Sequence, residues 1–433
     1  MEKLNLKSSK EFFLKYKQIV VLMIVSTLLF CANFWNPLWI VAVSLLGIYY
    51  MFCGLGEIIC FTMFFVPLSG IGLFYIVSLL CGFASTLGHY IYDLARKQAK
   101  FYAFPFLITT LIVAIFAPIH YKIDYLGFQQ GAIVIAFLYV AYFAFVYKKN
   151  LDAHKSFRFL VYGILTSVVF GLLSLPFKNF GYPLFYFDGI YNRLQLFTYY
   201  PNHLAMISTF VISYMIYAII NKRGNLWFNV ISIALCLALG VATYSKAFLL
   251  LCVLLFGYAC LFLIAKFKWK SLKVILPLLL VLAAIIGILN KTFITIFERF
   301  LAYETGSSLI SKFTTGRSGI WYEYLWEITS SIPKMLFGFG LFNAEVNILG
   351  CHNVLIYFAY RTGGLGLVLL GVLVYSYLKS SENKIKFNFA TCLVLLTWVV
   401  IAMEEMIFSD RFFLFLILGL LLMNDQKQEK LQK

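Results

Sequence analysis

Apolar runs of roughly twenty residues, the length that crosses a bilayer core, alternate with short polar segments along the whole chain. This pattern predicts transmembrane helices. The candidate spans are 17–34, 37–53, 56–68, 71–88, 102–120, 127–147, 158–175, 201–220, 226–243, 247–265, 274–290, 353–378, 388–405 and 409–424. The third is short, and Pro67 with Gly70 makes it a candidate half-span or broken helix. We therefore expect an all-α polytopic membrane protein with about 12–14 transmembrane helices.

Composition supports this prediction. Of the 433 residues, 62% are hydrophobic and 12% are charged, and the charged share is about half that of a soluble domain. We expect a single membrane domain over 1–433. The basic residues before the first run resemble the start of a signal peptide. However, no small-residue cleavage site follows and a second span begins almost at once, so a retained helix is predicted.

The net charge of +17 would suggest nucleic acid as the partner of a soluble protein. In a membrane protein, basic loops instead set the orientation and meet anionic lipid headgroups. With the N-terminus in the cytoplasm, about two thirds of the 35 Lys and Arg residues fall on inner segments. Both termini are then predicted to be cytoplasmic. Of the nine Cys, only Cys351 falls in a large loop, so no disulfide framework is expected.

This orientation leaves two long outer segments: an aromatic-rich loop over 176–200 and a large extracytoplasmic loop over 291–352. The larger loop contains "TTGRSGIWYEYLWEITSSIP", which predicts a short amphipathic helix after Gly316. Thr315 or Ser318 could cap this helix, and Pro333 is expected to stop it. Its predicted apolar face consists of Ile320, Trp321, Tyr324, Leu325 and Ile328.

Arg317 stands at the start of this predicted helix, where free backbone N–H groups favour an anion. A guanidinium there would bind a phosphate or pyrophosphate. The alternative is an interfacial Arg that pairs with Glu323 or with a lipid phosphate. Both interpretations are compatible with the local sequence.

His352 and Asn353 precede the twelfth span, and Arg361 lies about two turns inside it. His352 is either a solvated or capping residue or a general base. An Arg at the depth of Arg361 is unfavourable unless it is paired or faces a wet cavity, so it favours a functional site.

The shorter outer segment brings Arg193 close to Pro201 and Asn202 at the start of the eighth span. Its aromatic residues form either an interfacial belt or a sugar-stacking platform. Lys246 lies in a tight outer turn, where a snorkelling anchor is the ordinary role. The chain has no H-E-x-x-H, Walker or dinucleotide-binding motif, so we expect neither a metal nor a cofactor.

Taken in order, "RLQLFTYYPNHLA", "SKAFLLL" and "TGRSGIWYEYLWEITSSIPKMLFGFGLFNAEVNILGCHNVLIYFAYRTGG" resemble the O-antigen ligase and Wzy-type polysaccharide polymerase family. The family pattern is an Arg before Pro-Asn at a span start, a Ser-Arg-small turn, a Gly-Arg before a Trp-containing helix, and Gly-x-Gly followed by His-Asn. The resemblance covers 190–375. Lys246 departs from it, since the family often has Arg there, and a Lys cannot make the same bidentate phosphate contact.

The resemblance implies a metal-independent, inverting glycosyltransferase on the outer face of the bacterial cytoplasmic (inner) membrane. Its substrate would be an undecaprenyl-pyrophosphate-linked oligosaccharide, and a chain-length regulator and a flippase are candidate partners. His352, Arg317 and Arg193 would be catalytic. The residues expected to bind pyrophosphate or glycan are Arg361, Lys246, Asn353 and Asn202.

Two alternatives stay open. An O-antigen ligase would transfer the glycan to a lipid A core or another anchor instead of to a second lipid-linked repeat unit. A lipid-linked oligosaccharide flippase would move the same substrate without any transfer; transporters typically show internal repeats and ionisable residues at mid-membrane, and neither is clear here.

Overall fold

The structure is a computed structural model that describes residues 2–119, 125–147, 151–174, 176, 187–188, 193–198, 201–288, 317–343, 351 and 353–380. His352 and the two predicted spans after residue 387 lie outside the described residues. The described chain is mostly helical, as the apolar periodicity predicts.

The helices are numbered along the chain. They are α1 Glu2–Ala32, α2 Leu38–Tyr50, α3 Leu55–Phe65, α4 Phe74–Ala95, α5 Ala103–Phe116, α6 Tyr125–Val146, α7 Ala153–Ser174, α8 Pro201–Ile220, α9 Leu226–Ala242, α10 Lys246–Ala265, α11 Trp269–Ile288, α12 Arg317–Thr329, α13 Ile332–Phe337 and α14 Val354–Ser380. A 3-10 turn at Val66–Leu68 follows α3. Two short strands, β1 Phe187–Asp188 and β2 Arg193–Leu194, pair antiparallel.

Several of these helices are long and apolar enough to cross a membrane. Among the described residues, five meet that criterion: Phe74–Ala95, Ala153–Ser174, Pro201–Ile220, Ala247–Ala265 and Leu355–Tyr377. Shorter apolar helices cover Lys17–Ala32, Leu38–Tyr50, Leu55–Leu68, Ala103–Phe116, Gly131–Val146 and Leu226–Ala242. Helices satisfy their backbone polar groups internally, which is what hydrocarbon requires. The protein is therefore an α-helical membrane protein.

The chain divides into two compact units. The first comprises Met1–Tyr92 with Lys155–Tyr200, and the second comprises Asp93–His154 with Pro201–Lys433. In the first unit, α3 ends at Phe65 and the turn that contains Pro67 replaces further α-helix. Gly163 of α7 lies against the backbone of Phe64, where a Cβ atom would collide. This close approach fixes α7 on the short α3.

Within the second unit, α8 packs mainly against α9 and also contacts α10 and α11. Its spanning stretch is buried on every side. The helix accordingly carries Ser208, Thr209 and Ser213 without exposing them to lipid.

The second unit also contains a hydrophobic core formed by α5, α6, α12 and α14. Phe116, Phe145, Tyr324 and Tyr360 are among its buried members. Residues 338–343, called here the crossing segment, run through this core and link its helices. Three of the residues that the sequence singles out lie on or beside its helices: Arg317 begins α12, Asn353 directly precedes α14 and Arg361 lies within α14.

Candidate functional site

Arg317 is the first residue of α12 and is half-buried. Its position confirms the predicted helix start. The predicted apolar face is mostly correct, because Tyr324 and Ile328 are buried in the core. Leu325 differs, with 46% of its surface exposed.

The predicted stop at Pro333 is wrong. Helix α12 already ends at Thr329, and Pro333 lies in the first turn of α13, where Ser331 caps the backbone N–H of Lys334. Proline is favourable at that position because its missing N–H would have no helical partner there. The capping Ser331 therefore starts a second short helix.

A hydrogen bond from Trp321 connects the beginning of α12 to the residue before His352. The indole Nε1 donates a 2.8 Å hydrogen bond to the carbonyl oxygen of Cys351, which is fully buried. Trp321 is one helical turn after Arg317, so the two side chains share a face of α12. This bond places the Arg317 end of α12 next to the residue that precedes His352.

Asn353 is the N-cap of α14. Its Oδ1 accepts hydrogen bonds from the backbone N–H groups of Leu355 (3.1 Å) and Ile356 (3.2 Å). Such a cap stabilises a helix by about 1 kcal/mol. The cap also fixes the direction in which the chain enters α14 immediately after residue 352.

Arg361 is buried in α14 with 1% of its surface exposed. Its Nη1 donates to the carbonyl oxygens of Leu341, at 3.3 Å, and of Asn343. Its Nη2 donates to the hydroxyl of Tyr357, and the guanidinium lies 5.0 Å from that ring. Of the two settings expected for this buried charge, pairing or a wet cavity, the described contacts show pairing with two backbone carbonyls and a tyrosine.

The backbone path of the crossing segment depends on two glycines. Gly338 (φ +67°) and Gly340 (φ +95°) adopt the left-handed conformation that glycine tolerates. A Cβ on Gly338 would lie 2.6 Å from the backbone nitrogen of Gly363, and one on Gly340 would collide with the carbonyl of Ile119. The Gly-x-Gly sequence is therefore a requirement of close backbone packing.

Helix α14 is broken where this segment crosses it. Gly363 has φ +62° and ψ −168°, values outside the helical region. The carbonyls of Tyr360 and Arg361 accept hydrogen bonds of 2.9 Å from Phe339 and Gly340. Backbone groups that the break frees from the helix are thus satisfied by protein, as hydrocarbon requires.

Arg193 lies in the first unit, in β2, where it pairs in register with Asp188. Leu194 and Leu196 beside it are buried, and Gly70 donates a 2.8 Å backbone hydrogen bond to the carbonyl of Phe197. The segment that carries Arg193 is thereby attached to the turn after α3.

The remaining two predicted residues are on the α8–α11 bundle. Asn202 is the second residue of α8 and is half-buried. Lys246 is the first residue of α10, which Ser245 caps through the N–H of Phe248. Helices α8 and α10 pack on each other.

The structure thus brings together the Arg317 end of α12, Cys351, Asn353 and Arg361 around one core. Sequence reasoning missed Trp321 and Tyr357 as polar partners, although an indole N–H and a phenol within an apolar helix both need hydrogen-bond partners when buried. Among the described residues, no group of three His, Cys, Asp or Glu side chains could hold a metal ion.

The chain matches no family model, no curated protein and no solved structure.

Proposed function

We propose that this membrane protein is a glycosyltransferase that extends a polysaccharide. It transfers a glycan from polyprenyl pyrophosphate to the acceptor hydroxyl of another lipid-linked repeat unit, on the outer face of the cytoplasmic membrane. The proposal includes 12–14 spans, cytoplasmic termini and one large extracytoplasmic loop. The observation that carries it is the Trp321–Cys351 hydrogen bond, because it holds a helix N-terminus bearing Arg317 beside the sequence that contains His352.

The chemistry that these residues offer is displacement at an anomeric carbon. The acceptor oxygen forms a bond to that carbon, and the bond from the carbon to the pyrophosphate oxygen breaks with inversion. The leaving pyrophosphate takes the electron pair, and Arg317 with the start of α12 stabilises its negative charge. His352 takes the proton of the acceptor hydroxyl.

The other residues divide by role. Arg361 and Asn353 are positioning residues, since the described contacts of Arg361 hold the crossing segment and Asn353 caps α14. Arg193 is proposed, like Arg317, to stabilise the negative charge of the leaving pyrophosphate. Lys246 and Asn202 are proposed to contact the pyrophosphate or glycan.

A flippase remains the candidate from another class. The break of α14 at Gly363 favours it, because discontinuous helices frequently form binding sites in transporters. Against it, the freed carbonyls of Tyr360 and Arg361 are already bonded to the crossing segment. Transfer is therefore the preferred function.

The test is incubation of purified protein with lipid-pyrophosphate-linked repeat units in the presence of EDTA. A polymerase gives a ladder of longer products with the repeat unit alone. A ligase gives product only when a different acceptor is added, and a flippase moves substrate in vesicles without lengthening it. A requirement for added divalent cation would contradict the metal-independent reaction.

Two substitutions test the assigned residues in that assay. Arg317→Ala and His352→Ala should each lower the rate of lengthening by at least about a hundredfold, the scale for a lost charge-stabilising or general-base group. Lys334→Ala is the matched control. This cation lies in the same loop but pairs with Glu327 at 3.6 Å, and its removal should leave the ladder unchanged. Wild-type product lengths in either test variant would refute the assignment.

A further inference from the structure

A second polar feature of the molecule lies away from the candidate site, where α8 ends and where α9 and α11 begin. It is a cavity of about 220 Å³ in the second unit. Lys222, Arg223 and Lys270 contribute to its lining, together with Asn229 and Ser271. None of the described lining residues is acidic. Three cations around one cavity, with no carboxylate among the described lining residues, favour an anion.

The turn that presents two of these cations is rigidly held. Arg223 donates its backbone N–H to Ala218 at 2.7 Å, and its own carbonyl accepts from Asn229 Nδ2 at 2.9 Å. The guanidinium lies 5.8 Å from the centre of the Tyr217 ring. Gly224 (φ +65°) lies against the imidazole of His154, where a Cβ atom would collide. A fixed backbone reduces the ordering entropy that ligand binding would otherwise cost.

Asn229 provides an independent indication of a ligand. It lines the cavity with 1% of its surface exposed, and its Oδ1 has no hydrogen-bond partner among the described residues. Because Nδ2 is already bonded to the Arg223 carbonyl, the orientation of the amide is fixed. A buried acceptor of this kind is unfavourable unless a donor satisfies it. A ligand with a hydroxyl beside its phosphate would supply that donor.

Two exposed tryptophans place the cavity at the depth of lipid headgroups. Trp227, the second residue of α9, is 73% exposed, and Trp269, the first residue of α11, is 54% exposed. Tryptophan is enriched at the membrane–water interface. The cavity also follows directly on the end of a spanning helix at Ile220. Membrane phospholipid is therefore the nearest source of phosphate.

We propose that this cavity binds the phosphate of an anionic phospholipid with a hydroxyl-bearing headgroup, such as phosphatidylglycerol. Lys222, Arg223 and Lys270 bind the phosphate, and Asn229 Oδ1 accepts from the headgroup hydroxyl. The predicted orientation places this site on the cytoplasmic side. The site is separate from the proposed transfer reaction and does not depend on it.

The experiment uses the purified full-length protein in a neutral detergent, with phosphatidylglycerol, phosphatidylcholine or inorganic phosphate added separately. Native mass spectrometry measures retained lipid, and tryptophan fluorescence measures the melting temperature. The test variant is Lys222→Gln with Lys270→Gln. The control is Lys266→Gln with Lys268→Gln, which removes the same charge from positions outside the cavity lining.

Phosphatidylglycerol should be retained and should raise the melting temperature of the wild type and the control. The test variant should retain about tenfold less, the effect of one or two lost charge-assisted hydrogen bonds. Equal retention by all three proteins would mean general attraction to basic loops and would overturn the proposal. Retention of phosphatidylcholine at the same level as phosphatidylglycerol would also overturn the proposal. If inorganic phosphate alone stabilises the wild type as much, the lipid assignment is wrong and the cavity is a site for free phosphate.

Discussion

At the residue scale, Arg361 illustrates how a charge is kept inside an apolar helix. Its guanidinium donates to the carbonyls of Leu341 and Asn343, which belong to the crossing segment. An Arg offers several fixed donors, so one side chain can bind two backbone carbonyls at once. The sequence predicted that Arg361 is either paired or faces a wet cavity. Its partners could not be predicted, because backbone carbonyls leave no pattern in the sequence.

Trp321→Phe tests whether the hydrogen bond from Trp321 to Cys351 positions α12 for the reaction. The substitution keeps an aromatic side chain, although a smaller one, and removes the hydrogen bond to the Cys351 carbonyl; loss of one buried hydrogen bond destabilises by about 1 kcal/mol. We expect at least about a tenfold fall in the rate of chain lengthening, since small misplacements of catalytic groups have large effects.

The control is Trp326→Phe, on the exposed face of the same helix, where 64% of the side chain is exposed. It should behave as wild type in both rate and melting temperature. Equal rates for the two variants would show that the Trp321 bond plays no part in the reaction.

At the scale of elements, α14 departs most from expectation. The sequence predicted a continuous span over 353–378, and the described helix Val354–Ser380 is interrupted at Gly363. Gly371 in the same helix causes no break. The surroundings of the two glycines differ: a Cβ on Gly363 would collide with the backbone of Leu336 and Phe337, whereas a Cβ on Gly371 would meet nothing within 4 Å. This contact comes from distant sequence, which local pattern reasoning does not include.

The two glycines form a matched pair. Gly363→Ala should destabilise the protein by more than about 1 kcal/mol, since the positive φ is strained for alanine and the added methyl group collides with backbone. Gly371→Ala should be neutral or stabilising by roughly 0.5–1 kcal/mol, because alanine is the better helix former. Thermal unfolding in detergent measures both. A stabilising effect of both substitutions would mean that α14 is a continuous helix.

At the scale of the whole molecule, the all-α membrane character follows from composition and apolar periodicity alone. The exact number of spans does not follow from composition and periodicity. Among the described helices, five are both long and apolar enough to span, and others such as Leu38–Tyr50 and Ala103–Phe116 are shorter. Hydropathy marks an apolar run but not where its helix ends. The predicted span 56–68 changes from α-helix to a 3-10 turn at Val66, and the α-helix within the predicted span 102–120 covers only Ala103–Phe116.

The predicted orientation can be tested with single cysteines in intact cells. Ser330→Cys, between α12 and α13, should react with a membrane-impermeant maleimide before lysis, because this loop is predicted to lie outside. Lys266→Cys, at the end of α10, should react only after lysis. The wild type provides the background from its nine native cysteines. The opposite labelling pattern would invert the orientation and place Arg317 in the cytoplasm.

The complete enclosure of α8 has a consequence for biogenesis. Since α9, α10 and α11 follow it in the chain, α8 leaves the ribosome before the helices that will cover it exist. It must therefore enter the membrane on its own apolar character, although in the finished protein that character faces no lipid. The hydrophobicity of α8 is then required for its insertion into the membrane, whereas its serines and threonines are tolerated because the final packing covers them. Polar substitutions in α8 should be limited by membrane insertion before they are limited by the stability of the folded protein.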